Sequence, residues 1–179
     1  MKKIIYYVAC SIDGYIAGRN DDVSKFIYQG DATQKYLEDL RSFETVMMGR
    51  NTYEFGYQFG AEPGQPSPAY PHMQHYIFSN NLKFEEKSNQ VEIRPLDTEE
   101  VKRIKEGSRT DIYLCGGGQF AGWLLAHGFI DQLKIKLNPI TLGGGTPLFG
   151  QSASPATWKL LHSESFDNGI QFITYERLA

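Results

Sequence analysis

The stretch from Thr110 to Gly128, TDIYLCGGGQFAGWLLAHG, constrains this chain more than any other part of it. Ile112 to Cys115 reads as a short buried strand, Gly116 to Gly118 as a turn, and the apolar run that follows as a helix. Three successive glycines admit backbone angles closed to other residues and leave no side chain between the chain and a ligand. A helix that starts here aims its free N–H groups back at the turn, which makes an anion site. One glycine suffices to turn a chain from strand to helix, and three cost unfolded-state entropy. The run therefore points to a bound diphosphate, and so to a nucleotide cofactor.

Two familiar phosphate devices are excluded. Gly116-x-Gly118-x-x-Ala121 fits the loose dinucleotide fingerprint, but that device needs an acidic residue at the end of the next strand. Here the next strand ends Leu137-Asn138-Pro139, with no carboxylate. No G-x-x-x-x-G-K-S/T occurs either, so a P-loop fails. A second candidate anion site is Gly49-Arg50-Asn51-Thr52-Tyr53-Glu54, after the buried strand Thr45 to Met48. Gly49 allows close approach, Thr52 offers a hydroxyl, and Arg50 offers a fork suited to phosphate. A simple helix cap with a solvated arginine would look the same.

The 179 residues, 41% of them hydrophobic, suffice for one globular domain over residues 1–179. A net charge of -3 and the lack of any Lys/Arg run argue against a nucleic-acid partner. The apolar start Ile4 to Val8 is too short to span a membrane and lacks a cleavage site, so no membrane partner and a cytoplasmic location are expected. Cys10 and Cys115 lie in apolar strand contexts and read as buried thiols, and two cysteines build neither a disulfide framework nor a zinc site. His72 and His75 have HxxH spacing but border a proline-rich loop without a carboxylate or cysteine partner, so no metal is expected.

Further elements follow from pattern. Lys3 to Ser11 is a strand, and Asp31 with Gln34 looks like a capping box before a helix carrying Tyr36, Leu37, Leu40 and Phe43 on one face. Residues 56–73 form an irregular surface loop. His75 to Ser79 and Val91 to Arg94 are strands, and Asp97 to Glu106 is a helix with a second box (Asp97, Glu100). Leu133, Ile135 and Leu137 alternate with Lys134, Lys136 and Asn138, as in a strand with one wet face. Trp158 to Ser165 and Ile170 to Glu176 flank Asp167-Asn168-Gly169, a hairpin signal. The sum is an α/β fold: a mixed, mostly parallel central sheet with helices on both faces and a C-terminal antiparallel hairpin.

These residues resemble a known family. Met48 to Glu54, the Phe78-Ser79 strand end and Tyr113 to Gly118 resemble the cofactor segments of the dihydrofolate reductase superfamily. Ser11 to Ala17, Gly128 to Leu133 and Asn138 to Phe149 are more similar to the reductase domain of riboflavin biosynthesis. The resemblance spans nearly the whole chain and implies the three-layer dihydrofolate-reductase-like fold. It also implies an NADPH-dependent reductase that passes a hydride to a small heterocycle or a ribosylaminopyrimidine. By this match Gly49, Arg50, Asn51, Thr52 and Ser79 would hold the adenosine end, with Arg50 near the 2′-phosphate. Gly116, Gly117, Gly118, Gln119 and Phe120 would cradle the diphosphate, and Ala9, Ile16 and Ala17 would line the nicotinamide. Folate reductases carry a Trp and a Pro between the first strand and first helix, and Arg19 to Gly30 has neither, which argues against dihydrofolate.

Substrate residues are expected in the same segments. Asp31 lies near the place of a folate reductase's substrate carboxylate, or is only a helix cap. Asp13, in Asp-Gly, either makes a turn or orients substrate beside the nicotinamide. Phe55 and Tyr57 either wall the pocket or pack in the core. A folate reductase of low activity and a nucleotide-binding sensor without turnover remain the competing functions. The resemblance and the apolar row of Leu133, Ile135 and Leu137 also imply a homodimer.

Overall fold

Tyr6 and Tyr7 are neighbours in the chain, and both are fully buried. Successive side chains of a strand point to opposite faces, so this strand is covered on both sides. The computed structural model describes residues 1–152 and 154–178. Its elements are β1 (Ile4–Ser11), β2 (Tyr15–Ala17), α1 (Asp31–Leu40), β3 (Thr45–Gly49), α2 (Arg50–Phe55), β4 (Gln74–Phe78) and β5 (Val91–Arg94). Then come α3 (Thr98–Gly107), β6 (Ile112–Gly116), α4 (Gly118–Ala126), β7 (Gln132–Asn138), β8 (Thr146–Pro147), β9 (Trp158–Ser165) and β10 (Gln171–Arg177).

Eight strands form one sheet in the order β5-β4-β3-β6-β1-β7-β10-β9. Every pairing from β5 to β7 is parallel, and the β7–β10 and β10–β9 pairings are antiparallel. The expected mixed sheet and terminal hairpin are therefore present. One face packs Tyr6, Met47, Phe78 and Leu114 under α3 (Val101, Ile104) and α4 (Phe120, Leu124). The other packs Tyr7, Met48, Ile77 and Tyr113 under α1 (Ala32, Leu40) and α2 (Tyr53). The result is three layers, with each apolar helix stripe spent on one sheet face.

Several local readings need correction. Gly30, not Asp31, is the N-cap of α1, and no side chain caps that end. Gly30 sits at φ 89, so the helix begins at Asp31 and leaves its carboxylate exposed on the first turn. Leu37 is exposed, because the inward stripe of α1 runs through Ala32, Tyr36 and Leu40. Asp97 does cap α3, accepting from the Glu99 N–H, but Glu100 pairs with Arg94 and Arg103 instead of closing a box. The loop 56–73 is not all surface, since Tyr70 and Met73 are buried.

The largest correction concerns β7. Its polar row is covered, not wet: Lys136 and Asn138 are buried and Lys134 is half-buried. This row faces α1 and the segment before it. Lys134 Nζ pairs with Asp39, which also accepts from Tyr7 Oη (2.9 Å) and Lys35 (3.3 Å). Burial opposes the charge on Asp39, but these donors outweigh it and hold the carboxyl below its usual range. Alternation reported the strand correctly and the environment of its polar face wrongly, because alternation cannot see what packs on that face.

His75 fixes the long loop to the sheet. It is fully buried, its Nε2 accepts from the Ser67 N–H (3.0 Å), and Nδ1 donates to the Met73 carbonyl (2.9 Å). Both nitrogens are thus committed within the fold. Burial, against the pull of the Met73 carbonyl, pushes its pKa down to about 4. The unfolded chain takes up that proton near about 6.5, so this contribution is whole above that pH and lost as pH falls toward 4. The loss amounts to roughly 3 kcal/mol. We expect His75→Gln to melt well below the parent at pH 7 and to lose most of that deficit by about pH 4.5. Parallel melting curves across this window would show His75 to be charged in the fold.

Candidate functional site

The chain leaves β3 toward β4 but leaves β6 toward β7, on the far side of β1. Such a reversal opens a crevice outside the carboxyl ends of the two strands, which is where open α/β sheets bind ligands. Gly49 and Gly116 end the two strands that flank it, and β3 and β6 are hydrogen-bonded neighbours. The two glycine segments, which the resemblance assigned to one cofactor, therefore lie side by side.

The glycines have different duties. Gly116 takes φ +128, which side chains rarely adopt, so conformation demands glycine there. Gly117 sits at φ -86 and ψ -167, ordinary extended backbone. At Gly117 closeness, not conformation, is what demands glycine. A Cβ at Gly117 would stand 2.8 Å from Thr52 Oγ1. A Cβ at Gly118 would stand 2.3 Å from the Pro147 carbonyl oxygen, and one at Gly122 would stand 2.2 Å from that of Phe149. The turn and α4 are thus pressed against α2 on one side and against residues 147–150 on the other. The Gly116–Gly117 peptide is cis.

Gly117 is the N-cap of α4, and its carbonyl accepts the first helical bond, from Ala121 N–H (2.9 Å). The N–H groups of Gly118, Gln119 and Phe120 precede that bond and need partners from outside the helix. Phe120 can serve only through its backbone, because its ring is buried, stacked on Phe78 at 4.6 Å. The same side chain also explains Gly49, whose added Cβ would meet Phe120 Cβ at 3.3 Å. Gln119 is exposed at the rim.

On the β3 side, Arg50 and Asn51 are exposed, and Thr52 is half-buried beside Gly117. Arg50 Nε pairs with Glu54 at 2.9 Å, which leaves its two terminal nitrogens for another anion. Ser79 follows β4, and its Oγ accepts from the N–H groups of Asn81 (3.2 Å) and Leu82 (3.0 Å), leaving its hydroxyl proton to donate. On the β1 side, Ala9 and Ile16 are half-buried and Ala17 is buried. The β2 strand that carries Ile16 and Ala17 pairs with β8.

Of the two carboxylates expected to act on substrate, one is engaged within the fold and the other lies in solvent. Asp13 is a clamp: it accepts from Ser11 Oγ (2.6 Å) and from the N–H groups of Leu142 (3.1 Å) and Gly143 (2.8 Å). The Ser11 bond, then that of Gly143, lowers its pKa to about 2. A carboxylate so held is no proton donor, and its oxygens are taken by the loop after β7. Asp31 lies exposed on the first turn of α1, and the residue of that turn bonded inward is Thr33. Phe55 pairs with the exposed Phe59 at 5.4 Å, and Tyr57 packs edge-on against Tyr53 of the core. The sequence reading missed Thr33, Lys136 and Asn138, three polar groups gathered where β7 meets α1. Only the oddity of a lysine beside an asparagine on an apolar strand could have signalled them.

A model of the RibD C-terminal domain matches residues 2–172. The chain belongs to that family. The Bacillus subtilis (strain 168) protein YyaP is 26% identical over 97% of this chain and 94% of its own length. A putative riboflavin biosynthesis protein from Shewanella sp. PV-4 superposes with a TM-score of 0.79 at 24% identity, each chain fully covered. A dihydrofolate reductase from Enterococcus faecalis, solved with NADP(H), superposes at 0.68 with 15% identity over 99% of this chain and 97% of its own. This RibD C-terminal domain thus has the dihydrofolate-reductase-like fold, and the crevice lies where that fold places its β3 and β6 ends.

The contact between Gly117 and Thr52 can be tested without any ligand. Gly117→Ala should lower the melting temperature through the crowded Thr52 hydroxyl, and Thr52→Ala should restore most of that loss when the two are combined. Additive losses, measured by thermal melts of both singles and the double, would show that the two loops are further apart.

Proposed function

We propose that this protein is an NADPH-dependent reductase of the riboflavin-pathway type, acting on a small heterocyclic or ribosylaminopyrimidine substrate, such as 5-amino-6-(5-phosphoribosylamino)uracil. The observation that carries this reading is the cradle in which Gly117 approaches Thr52 at 2.8 Å from its would-be Cβ. Three N–H groups open α4 beside it, the charge pattern that a diphosphate requires. A nicotinamide cofactor, when bound, supplies the hydride. Gly49, Arg50, Asn51, Thr52 and Ser79 would hold its adenosine half. Gly116 to Phe120 would hold the diphosphate through backbone donors, and Ala9, Ile16 and Ala17 would flank the nicotinamide.

What the chain itself contributes is placement and dryness. Small residues near the nicotinamide let the reacting carbons approach, and position is worth several kcal/mol of barrier. Asp13 ties the β1–β2 turn to the loop after β7, so it holds one wall in place without touching the chemistry. Folate is disfavoured as substrate because Arg19 to Gly30 carries neither the Trp nor the Pro of the folate reductases. The sensor reading predicts NADPH binding without turnover, and NADPH oxidation with an aminopyrimidine or pterin acceptor decides against it. The partners implied are that small molecule and a second copy of the chain. No helix of the described residues is long and apolar enough to cross a membrane.

Cofactor choice rests on Arg50. Charge-assisted bonds from its terminal nitrogens to a 2′-phosphate are worth roughly 1.5–3 kcal/mol. Arg50→Ala should therefore weaken NADPH binding about ten- to a hundred-fold and hardly change NADH. Equal losses in fluorescence titrations of both cofactors would place Arg50 on shared phosphates or in a structural role.

We also propose a homodimer, through a face that extends beyond the row of Leu133, Ile135 and Leu137. Leu133 is consumed by the protein's own core, but Ile135, Leu137, Ile173 and Tyr175 remain half-buried on one face, beside Leu160, which is 53% exposed. β9 is a sheet edge. Sedimentation at micromolar concentration should return a dimer, and Leu160→Lys a monomer with an unchanged melting curve below the dimer's dissociation.

A further inference from the structure

Lys136 is a buried cation without a counter-ion. It is 5% exposed, and its Nζ donates to the Ile27 carbonyl (2.8 Å) and to Thr33 Oγ1 (3.0 Å), both neutral acceptors. An ammonium has three donors, so these bonds leave one. Taking a charge out of water without an opposite charge is costly. Burial, and nothing else, pushes its pKa down.

The neighbours of Lys136 reinforce the positive corner. Thr33 stands in the first turn of α1, where the helix presents its positive end. Asn138 is fully buried and held rigid: its Nδ2 donates to the Lys136 carbonyl, and its Oδ1 accepts from the Ile27 N–H. The acidic groups around this corner are otherwise engaged or turned away. Asp39 is bound to Lys134, Lys35 and Tyr7, and Asp31 is exposed. Glu164 pairs in register with Phe172, which itself separates it from Lys136. No carboxylate among the described residues bonds Lys136.

The place is informative as well. Lys136 pairs in register with Ala9 of β1, the residue proposed to flank the nicotinamide. Ile27, the lysine's backbone partner, belongs to an irregular strap, of which residues 24, 25, 28, 29 and 30 are exposed. The corner therefore lies at the carboxyl end of the sheet, behind a segment fastened by Phe26, Ile27 and the β7 polar row.

We propose that Lys136 and Thr33 set substrate specificity, selecting a ligand whose buried edge is an anion or electron-rich acceptor, such as an enolate, imide anion or carboxylate, over one whose edge is a protonated aminopyrimidine. This rests on the reductase reading, because it places the substrate beside the nicotinamide. A site that holds a carboxylate at this corner would attract a cationic donor edge, whereas an ammonium and a hydroxyl leave such an edge unpaired against a like charge. The Lys136 ammonium is a binding group for substrate, and Thr33 is a positioning residue that orients it.

Two rings of equal size and opposite polarity test this: barbiturate, an anion with an acceptor edge, and 2,4-diaminopyrimidine, with a donor edge. Each is titrated calorimetrically onto the full chain, with and without NADPH, and NADPH is titrated separately. The wild type should prefer barbiturate by at least about ten-fold, and Lys136→Met should erase that preference. Lys136→Arg should keep most of it, and NADPH affinity should be the same in all three. Should Lys136→Met fail to fold by its melting curve, Thr33→Val serves, with an expected loss of about three-fold or more for barbiturate. Barbiturate binding that is undetectable at millimolar concentration, unchanged in the variants, or weaker than that of 2,4-diaminopyrimidine overturns the proposal. Failure of NADPH to bind the wild type sinks the reductase reading instead, and the titrations without cofactor then still decide the polarity of this corner.

Discussion

Backbone pressed against backbone at the carboxyl ends of β3 and β6 is the constraint on which the rest of this molecule depends. Gly116 needs an angle that side chains rarely adopt, Gly117 abuts Thr52, and Gly118 and Gly122 abut residues 147–150. A single methyl group at any of the last three would occupy space already filled. The turn therefore fixes where α4 starts, how close α2 comes, and where the loop after β8 rests. It also keeps side chains off the turn itself, so that what the turn offers is backbone N–H. Glycine is expensive in the unfolded chain, and its concentration here marks the region where shape outweighs stability.

The polar face of β7 is the second organising feature, and it works by the opposite logic. Instead of removing side chains, the fold buries charged ones. Lys134 is satisfied by Asp39 and Tyr7, so it staples the sheet to α1. Lys136 is satisfied only by neutral oxygens, two residues further along the same face. One lysine is thus balanced for structure and the other left with charge to spare, nearer the end of the sheet where ligands bind. The glycine crevice offers recognition by shape and by backbone N–H groups. The corner beside α1 is where recognition by charge is available.

How legible this was in the sequence differs from feature to feature. The strand–glycine–helix unit at 110–128 was readable because composition alone restricts it: no other residue performs the duty of Gly116. Parallel strands announced themselves as short apolar runs, and the terminal hairpin through Asn168 and Gly169, where Asn168 accepts from the Ile170 N–H and Gly169 takes φ 82. Helix ends were less legible. Gly30 displaced Asp31 from the cap of α1 because a neighbouring glycine with positive φ starts the helix one residue sooner than a side-chain cap would. Asp13 was legible as a turn residue, but not as the clamp on a loop 129 residues away.

By itself, then, the sequence determined the longer strands and helices, their order and the glycine turns, because these follow from backbone conformation and from periodicity within a few residues, whereas the short β2 and β8 exist only through their mutual pairing. Only the tertiary structure decided that the two glycine segments face each other, since that depends on β3 and β6 becoming neighbours although the chain makes them far apart. It alone decided that the lysines of β7 are buried, since a strand has two faces and its sequence does not say what lies on either. It alone turned Thr33 inward and left Asp31 in water, through the rotation of α1 fixed by packing Ala32 and Leu40. Local pattern sets what a segment is, whereas burial and charge at the site come from contacts between segments that no short window contains.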